Sequence, residues 1–150
     1  MVIEKAKVKD GEAIYELINF YAQKGLMLPK SRTFIYEHLR QYMVVKEKED
    51  LIAVGGLRIF WDNLAEICSL AVDDAYRGQG IGQALLCALE EEAGFLELRQ
   101  VFSLTYQVGF FQKCGYRQIP MGTLPLKIWK DCGNCKKKDN CDETAMLKLL

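Results

Sequence analysis

The sequence predicts a mixed α/β fold: one sheet flanked by helices. Three observations lead there. Segments of strand length alternate with helical patterns in the order β-α-α-β-β-β-α-β-α-β. The middle strands are joined by short polar turns, which favours antiparallel hairpins, while later strands are separated by helices, which favours parallel pairing. Finally, the apolar strand Leu70-Ala71-Val72 runs into a loop with glycines at 78, 80 and 82, and an amphipathic helix follows directly.

Val2 to Val8 alternates Val-Ile-Glu-Lys-Ala-Lys-Val, a weakly apolar first strand. Asp10 stands where it can cap the next helix, in which Ile14, Leu17, Ile18 and Tyr21 fall at helical spacing. Gly25 suits the helix stop. Leu26-Met27-Leu28-Pro29 is an apolar loop, and Ser31 or Thr33 can cap a short second helix bearing Phe34, Ile35 and Leu39. Tyr42 to Val45 reads as a strand, Lys46 to Asp50 as a charged hairpin turn, and Leu51 to Trp61 as the return strand. Gly55-Gly56 marks a bulge within it. After a turn at Asp62-Asn63, Ala65 to Val72 is the strand that feeds the glycine loop. Ile81, Leu85, Ala88, Leu89 and Ala93 share one face of a helix over residues 80–94. Gln100 to Leu104 is the next strand, and Tyr106 to Cys114 a short helix closed by Gly115, with Cys114 as a small packing residue. Tyr116 to Ile119 is a strand ended by Pro120. Thr144 to Leu150 is apolar enough for a docked terminal helix.

At 150 residues the chain suffices for one domain with a sizeable core. Half its residues are apolar and its formal net charge is zero, which argues against disorder and against a nucleic-acid partner. The start, Met1-Val2-Ile3-Glu4-Lys5, is no apolar leader and no run approaches a membrane span, so the expected location is cytoplasmic, with no membrane partner. The six cysteines then read as thiols or metal ligands rather than disulfides. The composition divides the chain into a domain of residues 1–130 and a tail of residues 131–150, packed on the same domain. The tail holds Cys132, Cys135 and Cys141 around the solvated run Lys136 to Lys138. A closed zinc site needs four ligands, so Asp131, Asp139, Asp142 or a cysteine from elsewhere would have to complete it. Reduced thiols stabilising a turn are preferred over zinc, and no metal is assigned.

The loop from Arg77 to Gly82 carries the chemistry. The first turn of a helix leaves N–H groups unpaired, and the helix dipole favours an anion there. Glycines let backbone approach a phosphate closely. The spacing is neither the G-x-x-x-x-G-K-[ST] of a P-loop nor G-x-G-x-x-G. It is R-x-x-G-x-G, here Arg77-Gly78-Gln79-Gly80-Ile81-Gly82.

That loop resembles the acetyl-CoA pyrophosphate loop of the GNAT (GCN5-related) N-acetyltransferases, and the element order matches their fold over roughly residues 2–125. The resemblance implies a sheet whose central strand pair splays apart to admit the acyl thioester. It places the pyrophosphate on Arg77, Gly78, Gln79, Gly80, Ile81 and Gly82, and the thioester arm on the backbone of Leu70, Ala71 and Val72. Acetyl-CoA is then the cosubstrate. A free amine attacks the thioester, which requires a base. Glu66 is the candidate, and strict alternation puts it on one face with Cys68, Leu70 and Val72. The family's usual acid is a tyrosine where Phe111 stands in Phe110-Phe111-Gln112-Lys113-Cys114-Gly115-Tyr116. Tyr106 is the substitute, unless the thiolate leaves unassisted.

Leu28-Pro29-Lys30-Ser31-Arg32, Ala65-Glu66-Ile67-Cys68-Ser69-Leu70-Ala71-Val72, Leu104-Thr105 and Leu124-Pro125 recur in order. They look like the single-domain amino-acid N-acetyltransferases of the N-acetylglutamate synthase type. The implied acceptor is the α-amine of glutamate or glutamine, as in the first step of arginine biosynthesis. Lys30, Ser31, Arg32, Cys68 and Lys127 are the acceptor-site candidates. Family members often form homodimers. Two other readings stand beside this one: a GNAT acting on a peptide N-terminus, polyamine or other small amine, and a non-catalytic acyl-CoA sensor.

Overall fold

The computed structural model describes residues 1–124 and 143–150. Lys127, Cys132, Cys135 and Cys141 lie outside the described residues, and so do the aspartates weighed with them as zinc ligands. The chain begins with β1 (Val2–Lys5), α1 (Gly11–Gln23), α2 (Arg32–Glu37), β2 (Tyr42–Glu47), β3 (Asp50–Trp61) and β4 (Leu64–Val72). It continues with α3 (Ile81–Phe95), β5 (Gln100–Thr105), α4 (Val108–Lys113), β6 (Arg117–Ile119) and β7 (Thr144–Leu149). Among the described residues the strands form one seven-stranded sheet in the order β1-β2-β3-β4-β5-β7-β6. Only β4 and β5 pair in parallel, across the α3 crossover; every other pair is antiparallel.

Local chemistry sets several of the ends. Ser31 Oγ accepts the Phe34 N–H at 3.0 Å and starts α2. At the end of α1, Gly25 has φ 73, its N–H bonds Ala22 O, and the Leu26 N–H bonds Tyr21 O, the paired bonds of a Schellman stop. Asp10 departs from expectation. Its carboxylate makes no cap on α1. It accepts the Lys7 N–H at 2.8 Å and pairs with Lys46 Nζ at 2.8 Å, because a cation from β2 reaches it first. The first strand also stops early, at Lys5, and exposed Val8 begins a 3-10 turn.

The sheet divides the core. Its α3 face gathers Val45, Ala53, Ile67, Leu85, Leu86, Leu89, Phe111 and Met146, all nearly inaccessible. Its α1 face gathers Ile14, Ile18, Ile35, Tyr42, Val44 and Val54. No described helix is long and apolar enough to cross a membrane.

Thr144 to Leu150 is not a terminal helix. Residues 144–149 form β7, inserted between β5 and β6. Six residues make fewer than two helical turns, but as a strand they satisfy the open edges of two neighbours at once. Ala145, Met146 and Leu147 are buried there.

The second correction concerns β4. Cys68 pairs with Gly56 and Ala71 with Val54, so Ser69 and Leu70 together stand opposite Gly55. Ser69 takes φ 51. The irregularity falls beside the predicted glycine pair, but the extra residue belongs to β4. A bulge of this kind reverses which face later side chains occupy. A Cβ on Gly56 would meet Cys68 Sγ at 2.9 Å and Tyr42, on the α1 side. A Cβ on Gly55 would meet Leu70 and Leu89, each at 2.9 Å, on the α3 side. Glu66 and Cys68 therefore share one face, while Leu70 and Val72 occupy the other.

Candidate active site

The parallel pair β4–β5 has only two matched rungs, Ala65 with Val101 and Glu66 with Phe102. Beyond them β5 stays fully paired to β7, through Thr105 with Thr144, while β4 stays on β3. The two strands thus part where one neighbour holds each of them. A cleft of about 160 Å³ opens in the gap. Glu66, Cys68, Ser69 and Leu70 line it from β4, and Ser103, Leu104 and Thr105 from β5. Tyr106, Phe110 and Phe111 also line it, and Met27, Leu28 and Lys30 border it from the α1–α2 connection and Phe34 from α2.

Past the bulge, the open edge of β4 offers backbone groups. Asp73 N–H donates to Ile52 O on β3 at 2.8 Å. In a trans peptide the Val72 carbonyl then points the opposite way, off the open edge. It is already an acceptor there: the Tyr21 hydroxyl from α1 lies 2.6 Å away. The same hydroxyl is 2.9 Å from Asp74 Oδ1, and burial together with Asp74 raises its pKa, so it stays a donor.

The loop beyond has the form its glycines require. Gly78 and Gly80 both have φ 78, and nothing lies within 4 Å of either Cβ position. Gly82 is different: its Cβ would touch Phe110 at 3.4 Å. Gly80 is the N-cap of α3, and the first intrahelical bond runs from Ala84 N–H to Gly80 O at 3.0 Å. The N–H groups of Ile81, Gly82 and Gln83 therefore leave the helix start without an intrahelical acceptor, the arrangement a pyrophosphate needs. Arg77 Nε donates to Asp74 Oδ1 at 2.8 Å, which ties the basic residue of the loop to the end of β4.

The acceptor candidates separate. Lys30 and Cys68 line the cleft. Gln41 Nε2 lies 3.9 Å from Cys68 Sγ. The Ser31 hydroxyl is occupied as the α2 cap. Arg32 departs furthest from expectation. It is clamped on Glu12 of α1 by Nε at 3.0 Å and Nη2 at 2.8 Å, and its guanidinium stacks 4.1 Å from the Tyr15 ring. It is not part of the cleft wall. Seven polar residues of that wall were not among the site candidates read from the sequence: Gln41, Arg58, Ser69, Ser103, Thr105, Gln107 and Glu143. Arg58 left a trace, a lone cation in the otherwise apolar run from Leu51 to Trp61. Phe111 is buried, edge-on to Phe110 and Tyr116 at 5.2 and 5.0 Å, and Cys114 packs against the same core. Among the described residues, no three His, Cys, Asp or Glu side chains cluster as a metal site would need.

A glycine loop with unpaired helix-start N–H groups at one end of a strand, a carboxylate at the other, and a cleft between parted strands make an arrangement suited to group transfer from a phosphate-bearing carrier. Comparison with known proteins agrees. The Acetyltransferase (GNAT) family profile matches residues 11–116. A Chlorobaculum tepidum protein named "Uncharacterized N-acetyltransferase CT2212" is 38% identical over 148 residues, 99% of this chain and 96% of its own. The Mycobacterium tuberculosis "Amino-acid acetyltransferase" is 34% identical over 141 residues, 92% of this chain and 79% of that protein. The crystal structure of Rv2747 from Mycobacterium tuberculosis, in complex with CoA and NLQ, superposes with a TM-score of 0.87 at 28% identity, covering 100% of this chain and 99% of that one. The chain belongs to the GNAT family of acetyltransferases. It is an acetyl-CoA-dependent N-acetyltransferase.

Proposed function

We propose that the acceptor is the α-amine of a free amino acid, glutamate or glutamine, as in the first step of arginine biosynthesis. The observation that carries the reading is the cleft itself, which gathers Glu66, Cys68, Lys30 and Tyr106 beside the open edge of β4. The acceptor class is supported by likeness to a protein named amino-acid acetyltransferase along 92% of this chain.

In this reading the α3 start and Arg77 hold the pyrophosphate, and the backbone of Leu70 to Val72 holds the pantetheine arm. The neutral amine attacks the thioester carbonyl carbon. Its surplus proton goes to Glu66, directly or through one water. The C–S bond then breaks, and the thiolate takes a proton from the Tyr106 hydroxyl or from solvent. Phe111 has no proton to give, and its burial among aromatic rings keeps it a wall of the cleft.

The test is acetyl-CoA turnover with a panel of free amino acids, peptides and polyamines, followed by thiol release. Glutamate or glutamine as the best acceptor supports the reading; activity confined to peptides or polyamines excludes it. Acetyl-CoA binding without turnover on any amine favours the sensor. Glu66→Gln is expected to lower kcat about 10²–10⁴-fold at neutral pH with acetyl-CoA affinity unchanged. An unaltered kcat would remove Glu66 from the role of base.

A further inference from the structure

The cleft wall holds two cations among the described residues, Lys30 and Arg58. They are placed differently. Lys30 belongs to the connection before α2, with its ammonium 4.6 Å from the Phe34 ring. Arg58 rises from the middle of β3, on the rung directly opposite Glu66. Residues opposed across an antiparallel ladder have Cβ atoms about 4.5–5.5 Å apart. Arg58 is two residues from Gly56, whose α1-side position lies against Cys68. The two charged side chains therefore stand side by side on the face that lines the cleft. The Arg58 guanidinium lies 4.8 Å from the Phe60 ring, which limits its swing.

We propose that Arg58 receives the α-carboxylate of the acceptor while Glu66 on the neighbouring strand faces the amine of the same molecule. This rests on the reading of the acceptor as a free amino acid. An α-amino acid carries its amine and its carboxylate on one carbon, and the β3–β4 rung offers a carboxylate and a guanidinium at matching proximity. The planar fork of an arginine binds a carboxylate through two N–H bonds. The same charge selects against other amines. A polyamine brings further cations toward Arg58, and a peptide N-terminus has no α-carboxylate beside its amine. Specificity then comes from one attraction and one repulsion at a single side chain. Arg32, the arginine that the sequence placed here, is held by Glu12 on α1 instead.

The experiment compares wild type with Arg58→Met, which keeps the apolar stem, and Arg58→Lys, which keeps charge without the fork. L-glutamine and L-glutamate are each assayed against the corresponding α-amide, with acetyl-CoA saturating. Wild type is expected to prefer the acid strongly in kcat/KM. Arg58→Met should raise the KM for the amino acid about 10–100-fold and bring the acid-to-amide preference near unity. Arg58→Lys should retain part of that preference. The acetyl-CoA KM and the melting temperature of each variant report whether the fold survives. A folded Arg58→Met enzyme that still prefers the acid as wild type does overturns the assignment of Arg58 while leaving the amino-acid acceptor standing. A wild type that acetylates no free amino acid overturns both.

Discussion

Removing one oxygen from Tyr21 tests how the glycine loop is held. Tyr21 sits on α1 and is 3% exposed. Its hydroxyl meets the Val72 carbonyl at 2.6 Å and Asp74 Oδ1 at 2.9 Å. Asp74 in turn receives Arg77 Nε at 2.8 Å and has Lys24 Nζ at 3.8 Å. One hydroxyl thus joins α1, the end of β4 and the first residue of the glycine loop. Tyr21→Phe keeps the ring and its packing against Phe20, which is edge-on at 5.1 Å. What is lost is the donor to the Val72 carbonyl. Stranding an acceptor of this kind costs about 1–3 kcal/mol. For a chain of this size each kcal/mol moves the midpoint by about 2–4 °C, so the melting temperature should fall by roughly 2–12 °C.

The kinetic signature is more selective than the thermal one. Asp74 loses its hydrogen bond from α1 and keeps only Lys24 at 3.8 Å on that side, so Arg77, held by Asp74, is less firmly placed. The KM for acetyl-CoA is expected to rise about three- to tenfold, while the acceptor KM stays within about twofold. Initial rates of thiol release, with each substrate varied in turn, separate the two. If both KM values rise together, Tyr21 shapes the whole site rather than bracing the loop. If neither changes and the midpoint holds, the hydroxyl contributes nothing and the reasoning fails.

Two further outcomes follow from particular contacts. Arg32→Ala should leave the acceptor KM within about twofold, because that guanidinium is engaged by Glu12 and stacked on Tyr15 outside the cleft wall; a large selective rise would return Arg32 to the acceptor site. Asp10 gives a pH dependence: burial raises its carboxyl pKa, but Lys46 and the Lys7 N–H outweigh that and hold it below the usual carboxylate value. A depressed folded pKa means stabilisation that is complete above the unfolded value of 3.8 and is lost as pH falls below it, so wild type should lose more melting temperature than Asp10→Asn on acidification from about pH 5 to pH 3. Parallel losses would assign the acid sensitivity elsewhere.

Most of the architecture was legible because its signals are local. The glycine loop is contiguous, and its form, with Gly78 and Gly80 at φ 78 and Gly80 as the N-cap of α3, needs nothing from elsewhere in the chain. The Ser31 cap and the Gly25 stop are equally local. What escaped depends on pairing. β7 reads as a short apolar run that periodicity cannot assign to helix or strand; the open edges of β5 and β6 decide it. The positive φ of Ser69 has no signal in a serine, since the residue type that announces such a turn is glycine. Arg32 and Arg58 are indistinguishable as letters. Only the partner residues, Glu12 for one and the rung of Glu66 for the other, sort the structural cation from the one in the cleft.

In the proposed function, the bulge at Ser69 lets one strand serve both substrates. Under strict alternation Leu70 and Val72 would share the α1 face with Glu66 and Cys68, and two apolar side chains would crowd that face. The extra residue turns them toward α3, where Leu70 approaches Leu89 and Val72 approaches Gly82. In the proposed function the first half of β4 presents side chains to the acceptor, and the second half presents its open backbone edge to the cofactor. A non-glycine residue in the left-handed region costs about 1–2 kcal/mol. Two features make that cost tolerable at this position. Gly55 opposite has no Cβ to collide with Leu70, and the gap toward β5 contains no ladder that a bulge could break. The strain thus falls at the point where β4 has already parted from its parallel neighbour, the point at which the proposed function brings in the thioester.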